Sequence, residues 1–279
     1  MRILILGAKG MLGNDLLKEF SEFDVVGWDK NDLNITSPID VKKKILKLRP
    51  EIIINSAAYT DVDEAENNYA LVMKINGEAV NYLVETAQEI KAKFIQISTD
   101  YVFDGQSEIG YEENCKDRSP LNIYGISKLM GENLVEKGIK GGLNGYIIRI
   151  SYLFGRYGNN LVDKIIKLVS EKDVLKVVND QRGTLTFTED LSKGIMAILK
   201  NNIIPGIYHM TNANSFSCYE LAKEISKILH KNVIIEKMLY ADYPAKTKRP
   251  INSVLLNTKL PKLRSWKKAV KEYIELNEI

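Results

Sequence analysis

Short apolar runs that alternate with longer amphipathic stretches constrain the fold of this chain more than any other feature of its sequence. Five runs are too short for helices and mostly apolar, which is typical of strands buried on both faces of a sheet. The stretches between them carry apolar residues at helical spacing. Strands that alternate with helices predict an α/β fold with a Rossmann-type, doubly wound parallel sheet. The predicted strands are Ile3–Leu6, Val25–Trp28, Ile52–Asn55, Phe94–Ser98 and Tyr146–Ile150, and the predicted helices are Met11–Phe20, Ile39–Leu48, Asn76–Ile90 and Tyr124–Glu136.

This regular alternation weakens after Ile150. No linker rich in Gly, Ser or Pro separates the two parts, so we expect them to pack together with a cleft between them. Residues 1–150 would form one domain, and residues 151–279 a smaller α/β lobe, with some of its elements rejoining the first domain. The later elements predicted are helices at Asn160–Glu171, Glu189–Lys200, Tyr219–His230 and Ser265–Glu275, strands at Gly206–Met210 and Val233–Glu236, and a loop-rich segment at Tyr240–Asn257.

The composition argues against several classes of protein. The 279 residues include 39 Lys and Arg against 36 Asp and Glu, a balance too even for a nucleic-acid or membrane-surface protein. Cys115 and Cys218 form no CxxC pair, and the two histidines, His209 and His230, do not cluster, so we expect neither a disulfide framework nor a zinc site. The apolar run Ile3–Leu6 is too short for a signal peptide, and no run approaches the ~18 residues of a membrane span. We therefore expect a cytoplasmic protein.

A glycine-rich turn follows the first predicted strand and opens the first predicted helix. Its sequence, Gly7-Ala8-Lys9-Gly10-Met11-Leu12-Gly13, has the pattern GxxGxxG. Glycines at such a junction permit a tight turn and close approach of the backbone to a pyrophosphate, which the helix N-terminus binds. The position between strand and helix favours dinucleotide binding over an ordinary surface turn.

The residues that follow the second and third strands leave the choice of dinucleotide open. Asp29 ends the second strand, where a carboxylate can accept a hydrogen bond from the ribose 2′-OH of NAD. Lys30 can instead bind the 2′-phosphate of NADP, so the predicted cofactor is NADH or NADPH. Asp32 and Leu33 would border the adenine. The segment Ala57-Ala58-Tyr59-Thr60 would let the backbone reach the cofactor, although tight helix–strand packing also explains its small residues.

A phenol and an ammonium group lie four residues apart in Tyr124-Gly125-Ile126-Ser127-Lys128. On a helix both would lie on one face, and the Lys128 charge should lower the pKa of Tyr124. Such a phenol can exchange a proton with a carbonyl or an alcohol. Thr99 ends a predicted strand, where ligands of parallel sheets bind, and could hydrogen-bond the reacting oxygen.

At this point the sequence resembles the extended short-chain dehydrogenase/reductases, and more closely the dTDP-4-dehydrorhamnose reductase family. The resemblance covers nearly the whole chain, and its STDYVF and NDQxG segments are the most specific. The motifs that carry it are Gly7–Gly13, Arg49–Asn55, Ala57–Asp63 with Glu66, Lys74–Asn76, Ser98–Gly105, Tyr124–Lys128, Gly158–Asn160, Asn179–Thr184 and Arg249-Pro250 with Asn252-Ser253.

The resemblance implies a role for each matching residue. Tyr124 would be the proton donor and Lys128 its partner, while Thr99 would position the keto group with Asp100 beside it. The family has a Trp in its substrate pocket at the place where this chain has Tyr152. The tyrosine keeps that wall of the pocket aromatic but differs in size and adds a hydroxyl. The implied cofactor-binding residues are Gly7, Gly10, Met11, Leu12, Gly13, Asp29, Asp32, Leu33, Ala58, Tyr59 and Thr60, together with Tyr124 and Lys128.

The resemblance also raises the question of a metal ion. Some members bind Mg²⁺ through carboxylates at a dimer interface, and Asp15 and Glu189 fall near the corresponding places. No third ligand is evident, so the residues alone define no metal site. A homodimer is compatible with the resemblance.

A basic loop supplies a candidate for the substrate's phosphates. A nucleotide diphosphate brings about two negative charges into the cleft, and an unpaired buried charge is costly. Arg249, in Lys246-Thr247-Lys248-Arg249-Pro250, has a planar fork that suits phosphate oxygens. The loop could instead be a solvated surface loop, with Arg182 the next candidate.

Two functions follow from these observations. The first is an NAD(P)H-dependent reductase of the 4-keto group of a nucleotide-linked 6-deoxy sugar, such as dTDP-4-dehydro-L-rhamnose. The second is a non-catalytic regulatory subunit like the beta subunit of methionine adenosyltransferase, which resembles these reductases. Retention of Tyr124, Lys128 and Thr99 favours the enzyme.

Overall fold

Fourteen strands and ten α-helices make up residues 1–278, which are the residues that this computed structural model describes. The strands are β1 (Arg2–Leu6), β2 (Asp24–Trp28), β3 (Ile52–Asn55), β4 (Lys93–Thr99), β5 (Gly145–Ile150), β6 (Leu153–Phe154), β7 (Val174–Val178), β8 (Gly183–Thr184), β9 (Thr186–Phe187), β10 (Gly206–His209), β11 (Asn212–Ala213), β12 (Ser215–Phe216), β13 (Ile234–Met238) and β14 (Leu263–Ser265). The α-helices are α1 (Met11–Glu19), α2 (Pro38–Leu48), α3 (Val62–Ala65), α4 (Tyr69–Met73), α5 (Ala79–Glu89), α6 (Ile123–Lys140), α7 (Leu161–Glu171), α8 (Thr188–Lys200), α9 (Cys218–Ile228) and α10 (Trp266–Leu276). None of these helices is long and apolar enough to cross a membrane.

Six parallel strands form the central sheet in the order β10-β5-β4-β3-β1-β2. From β1 the chain first moves outward to β2 and then returns to the other side of β1 to form β3. This reversal creates a crevice at the carboxyl ends of β1 and β3, where doubly wound sheets bind ligands. The predicted fold class is confirmed.

The alternation of side chains in β1 explains why helices cover both faces of the sheet. Ile3 and Ile5 belong to an apolar cluster that includes residues of α1 and α8. Leu4 and Leu6 belong to a second cluster, which includes residues of α2, α5 and α6. Each face therefore buries its own layer of helices, and α6 lies on the second face.

The chain after residue 150 forms a third apolar cluster and also returns to the central sheet. The parallel pair β7–β13 and the helices α7, α9 and α10 pack around Phe154, Phe187 and Trp266. Strand β10 pairs with β5, and α8 packs against α1. Elements from the second half of the sequence thus pack with those of the first half.

The helix predicted to start at Asn76 begins earlier and is interrupted. A π-helical segment, Lys74–Glu78, joins α4 to α5. The buried Asn76 side chain accepts a hydrogen bond from the Tyr59 backbone N–H (2.8 Å) and donates to the Tyr59 carbonyl (3.0 Å). It also donates to Ser127 Oγ (3.0 Å). A π-turn is the kind of helix irregularity that places one side chain for such contacts, and hydrophobic periodicity does not reveal it.

Candidate active site

A single cavity of about 940 Å³ extends from the β1–α1 turn to the start of α6 along the carboxyl ends of the strands. Most of the predicted site residues line it. Three do not, namely Asp32, Tyr59 and Arg249. The predicted residues in its lining are Gly7, Gly10, Met11, Leu12, Gly13, Asp29, Leu33, Ala58, Thr60, Thr99, Asp100, Tyr124, Lys128 and Tyr152.

The β1–α1 turn needs its glycines for steric reasons. Gly7 has φ of +79°, and the Gly10 N–H donates to the Gly7 carbonyl (2.9 Å). A Cβ atom on Gly13 would lie 2.2 Å from that same carbonyl oxygen. No side chain of residues 1–278 caps α1, and the first residues of this helix line the cavity. The N–H groups of an uncapped first turn carry partial positive charge that a ligand can use. This turn fits a pyrophosphate.

Asp29 stands at the end of β2 with a cation beside it. Lys9 forms an ion pair with the Asp29 carboxylate, and the Asn31 N–H donates to Asp29 Oδ1 (2.7 Å). The hydrogen bond from Lys9 holds the pKa of Asp29 below its usual value. Asp32 does not line the cavity, and its carboxylate accepts a hydrogen bond from the Asp29 N–H (2.9 Å). The site thus offers a carboxylate for a 2′-OH and an exposed ammonium group for a 2′-phosphate.

Tyr124 and Lys128 lie one turn apart on α6. This helix is capped by Asn122, whose Oδ1 accepts from the Gly125 N–H (2.8 Å). Lys128 Nζ donates to the Ile97 carbonyl of β4 (2.6 Å), and burial lowers the pKa of Lys128 to about 8. Burial also shifts the pKa of Tyr124, in this case upwards to about 12, while a hydrogen bond with the Thr99 hydroxyl opposes the rise.

Our expectation that Lys128 lowers the pKa of Tyr124 is therefore wrong for the protein alone. The spacing of the two residues is as predicted, but the Lys128 ammonium binds a backbone carbonyl of the neighbouring strand. Desolvation of the phenol dominates instead. The phenol is consequently fully protonated at neutral pH, as a proton donor must be.

Asp100 is a buried carboxyl group beside Thr99. Its Oδ1 accepts from the Thr99 hydroxyl (3.0 Å) and its Oδ2 from the Ser151 hydroxyl (2.7 Å). Burial raises the pKa of Asp100 to about 6, although hydrogen bonds from Ser253, Ser151 and Thr99 oppose the rise. Sequence reasoning missed Ser151. Its place directly after β5, at the carboxyl end of the sheet, was the available signal.

Aromatic side chains enclose the far end of the cavity. Tyr101 meets Tyr124 edge to face, with ring centroids 5.8 Å apart. Tyr152 meets Phe216 in the same manner at 5.2 Å. Tyr152 has φ of +39°, which is strained for a bulky residue, and a Cβ atom on Gly183 would lie 2.6 Å from its ring. The surrounding structure therefore fixes the position of this ring.

Arg249 is engaged by a carboxylate of the first half of the chain. Its Nη2 lies 3.2 Å from Asp63 Oδ2, on α3. The Nε atom of Arg249 is buried without a hydrogen-bond partner among the described residues. The guanidinium therefore ties the loop after β13 to α3 and retains an unused donor.

The residues suggested for Mg²⁺ lie on two helices that pack together, α1 and α8. Asp15 is buried on α1, and Glu189 lies 3.8 Å from the Lys18 ammonium group. Within residues 1–278, no group of three or more His, Cys, Asp or Glu side chains is arranged to hold a metal ion. The magnesium hypothesis is not supported.

Comparison with known proteins relates this fold and site to a family. A protein-family model described as "RmlD substrate binding domain" matches residues 1–278. The chain is 34% identical to the spore coat polysaccharide biosynthesis protein SpsK of Bacillus subtilis (strain 168), over 98% of this chain and 97% of that protein. It is 35% identical to a dTDP-4-dehydrorhamnose reductase of Aggregatibacter actinomycetemcomitans, over 97% of both.

Solved structures agree with the sequence comparisons. The dTDP-4-dehydrorhamnose reductase of Bacillus anthracis, in complex with NADP, superposes with a TM-score of 0.92 at 34% identity over 99% of both chains. An ortholog of this reductase from Clostridium acetobutylicum superposes with a TM-score of 0.93 at 37% identity over the full length of both. From its sequence, its fold and the arrangement of its cavity, the chain belongs to the dTDP-4-dehydrorhamnose reductase family.

Proposed function

We propose that this chain reduces the 4-keto group of dTDP-4-dehydro-L-rhamnose to give dTDP-L-rhamnose, with NADPH as the hydride donor. The observation that carries the proposal is the convergence of Tyr124, Lys128 and Thr99 in the cavity that continues to the glycine turn. Relatives named as dTDP-4-dehydrorhamnose reductases, one of them with NADP bound, support the substrate and the cofactor. These relatives do not support the alternative function, that of a non-catalytic regulatory subunit.

The residues of the cavity fit a dinucleotide. Gly7 and Gly10 let the backbone approach a pyrophosphate, and the uncapped first turn of α1 supplies N–H donors. Asp29 and Lys9 would meet the adenosine ribose, with Lys9 able to pair with a 2′-phosphate. Lys128 would hold the ribose next to the nicotinamide. When bound, the dihydronicotinamide supplies a hydride for the keto carbon of the sugar.

The protein's own residues manage the proton. The Tyr124 hydroxyl donates its proton to the keto oxygen, which becomes the alcohol, and leaves a phenolate behind. Because burial raises the pKa of Tyr124 to about 12, this phenolate needs the positive charge of Lys128 nearby. In the structure the Thr99 hydroxyl gives its one proton to Asp100. When the sugar binds, this hydroxyl would turn from Asp100 to the same keto oxygen and thereby orient it, while Asp100 holds the Thr99 side chain in place.

We also propose which part of the chain binds each ligand. We assign cofactor binding to residues 1–150 and mainly substrate binding to residues 151–279. Tyr152 would form the wall against the sugar. Arg249, whose side chain is 28% exposed, would bind the diphosphate. A cytoplasmic location and a homodimer stay predictions from the sequence.

An assay of the purified chain tests the proposal. We expect consumption of NADPH when dTDP-4-dehydro-L-rhamnose is added, with dTDP-L-rhamnose as the product. Tyr124→Phe should lower kcat by roughly 10²–10⁴-fold and leave NADPH binding intact, because only the proton donor is lost. Tyr69→Phe, an exposed tyrosine outside the cavity, is the matched control and should be unaffected.

A parallel assay with a second sugar tests which compound is the substrate. One relative, from Streptomyces niveus, is named dTDP-4-keto-6-deoxy-D-glucose reductase and is 35% identical over 82% of this chain. Faster reduction of that compound would overturn the assignment of the sugar but keep the reaction class. If neither sugar supports NADPH consumption, the proposed function is wrong.

A further inference from the structure

A buried ionic cluster lies one helical turn beyond Lys128. Its centre is Glu132 of α6, which is fully buried, as is its partner Arg149 of β5. Glu132 accepts two hydrogen bonds from Arg149, at 2.8 and 2.7 Å, and one from the Ser98 hydroxyl at 2.6 Å. Arg118 Nη1 donates a further one at 3.2 Å. Every hydrogen-bonding direction of this carboxylate is thus used inside the protein.

The cluster connects the two elements that carry the candidate catalytic residues. Lys128 donates to the carbonyl of Ile97, and one turn later Glu132 accepts from Ser98, the next residue of β4. Thr99 follows directly in the same strand. Two successive turns of α6 are therefore tied to two successive residues of β4. These bonds set the position of Tyr124 and Lys128 relative to Thr99.

The neighbouring strands hold the cluster in register. Arg149 pairs with Ser98 across β4 and β5, and His209 pairs with Arg149 across β5 and β10. The guanidinium of Arg149 lies 5.0 Å from the centre of the Phe103 ring and 3.4 Å from His209 Nε2. A buried ion pair is often no more stabilising than apolar residues of the same volume. Stability alone therefore gives little reason for an ionic group at this place.

We propose that Glu132 is a positioning residue for the reaction: it fixes α6 against β4 and places a negative charge one helical turn from the Lys128 ammonium group. The catalytic part of this inference rests on the proposed function. The effect on Lys128 does not, because it concerns the protein alone.

The charges around Lys128 support this role. Burial lowers the pKa of Lys128, and Glu132 is the group that opposes this lowering. The other titratable and charged groups around the cluster are Tyr124 and Glu136 on α6, Asp100 at the end of β4, Arg149 on β5, Arg118 before α6, and His209 on β10 with Glu113 beside it.

The first experiment measures the protonation of Lys128 directly. Competitive acetylation at a series of pH values, read by peptide mass spectrometry, reports the pKa of an individual lysine in the folded, cofactor-free protein. We expect Glu132→Gln to lower the pKa of Lys128 by about one unit, because an opposing negative charge is lost. Glu136→Gln is the matched control, since Glu136 also pairs with Arg118 but is partly exposed. An unchanged Lys128 pKa in Glu132→Gln would overturn the inference.

The second experiment separates charge from position. Glu132→Asp keeps the charge but is too short to reach both Ser98 and Arg149, so we expect a normal Lys128 pKa with kcat lower by roughly tenfold or more. Ser98→Ala removes one hydroxyl and leaves the ion pair between Glu132 and Arg149, so it can replace Glu132→Gln as the test variant if Glu132→Gln does not fold. It should lower kcat by a similar factor without changing KM for NADPH. Full activity of Ser98→Ala and Glu132→Asp would refute the positioning role, whereas an inactive wild-type protein would refute the proposed function instead.

Discussion

Replacement of Asp100 by Asn should stabilise the protein while impairing its proposed activity. Only 2% of the residue is exposed, and burial raises the pKa of its carboxyl group to about 6, compared with 3.8 for an unperturbed Asp. Each unit of pKa difference corresponds to about 1.4 kcal/mol, so the ionised group costs about 3 kcal/mol in the folded state at neutral pH. An amide of the same shape carries no charge and keeps one acceptor oxygen for the Thr99 and Ser151 hydroxyls. We expect Asp100→Asn to raise the free energy of unfolding by about 1–3 kcal/mol at pH 7.

The predicted gain depends on pH in a defined direction. Between about pH 4 and pH 6 the folded protein binds more protons at Asp100 than the unfolded chain does, so this group makes the wild type less stable as the pH rises. Below about pH 4 the carboxyl group is neutral in both states and the penalty disappears. The advantage of Asp100→Asn should therefore be full above about pH 7 and vanish towards pH 4.

Urea unfolding of the cofactor-free protein measures this difference. Wild type, Asp100→Asn and Asp173→Asn would be compared over the same pH range, with the exposed Asp173 as the control for a generic loss of charge. Subtracting wild type from variant removes the contribution of all other titrating groups. A variant no more stable than wild type at pH 7, or a gain that does not change with pH, would refute the reasoning. The turnover of Asp100→Asn should fall, since the amide has a single acceptor oxygen for the Thr99 and Ser151 hydroxyls and positions Thr99 less firmly.

Three further predictions concern the cofactor, the substrate and the pH profile. Asp29→Ala should weaken NADH binding much more than NADPH binding in fluorescence titrations, because only the free 2′-OH donates to that carboxylate; equal losses would assign Asp29 another role. Arg249→Ala should raise KM for the nucleotide sugar at least about tenfold at saturating NADPH, the effect of losing a charged hydrogen bond. Asp63→Asn, which frees Arg249 from its ion pair, should not raise KM, and an unchanged KM in Arg249→Ala would place the phosphates elsewhere, with Arg182 next. Finally, kcat should decline above about pH 8, because burial lowers the pKa of Lys128 to about 8 and the neutral amine cannot stabilise a phenolate; a profile that is flat to about pH 10 would contradict this role.

Local sequence was sufficient for the central sheet and for the glycine turn. Runs such as Ile3–Leu6 are buried on both faces, and that burial leaves a continuous apolar pattern in the sequence. Gly7, Gly10 and Gly13 are required by the backbone of one turn, so their spacing alone indicates it. Tyr124 and Lys128 share a helix face because four residues make about one turn.

Only the tertiary structure decided the orientation of the functional groups and their protonation states. Lys128 binds Ile97, 31 residues away, and this contact, together with burial, invalidated the expectation for the pKa of Tyr124. Arg249 reaches Asp63 across 186 residues of sequence. Glu132 meets Arg149 only because α6 packs behind β4 and β5. A residue's periodicity records whether it is buried, which is a local property. Its partners and its desolvation depend on which distant strands and helices surround it, and no spacing within the sequence encodes those neighbours.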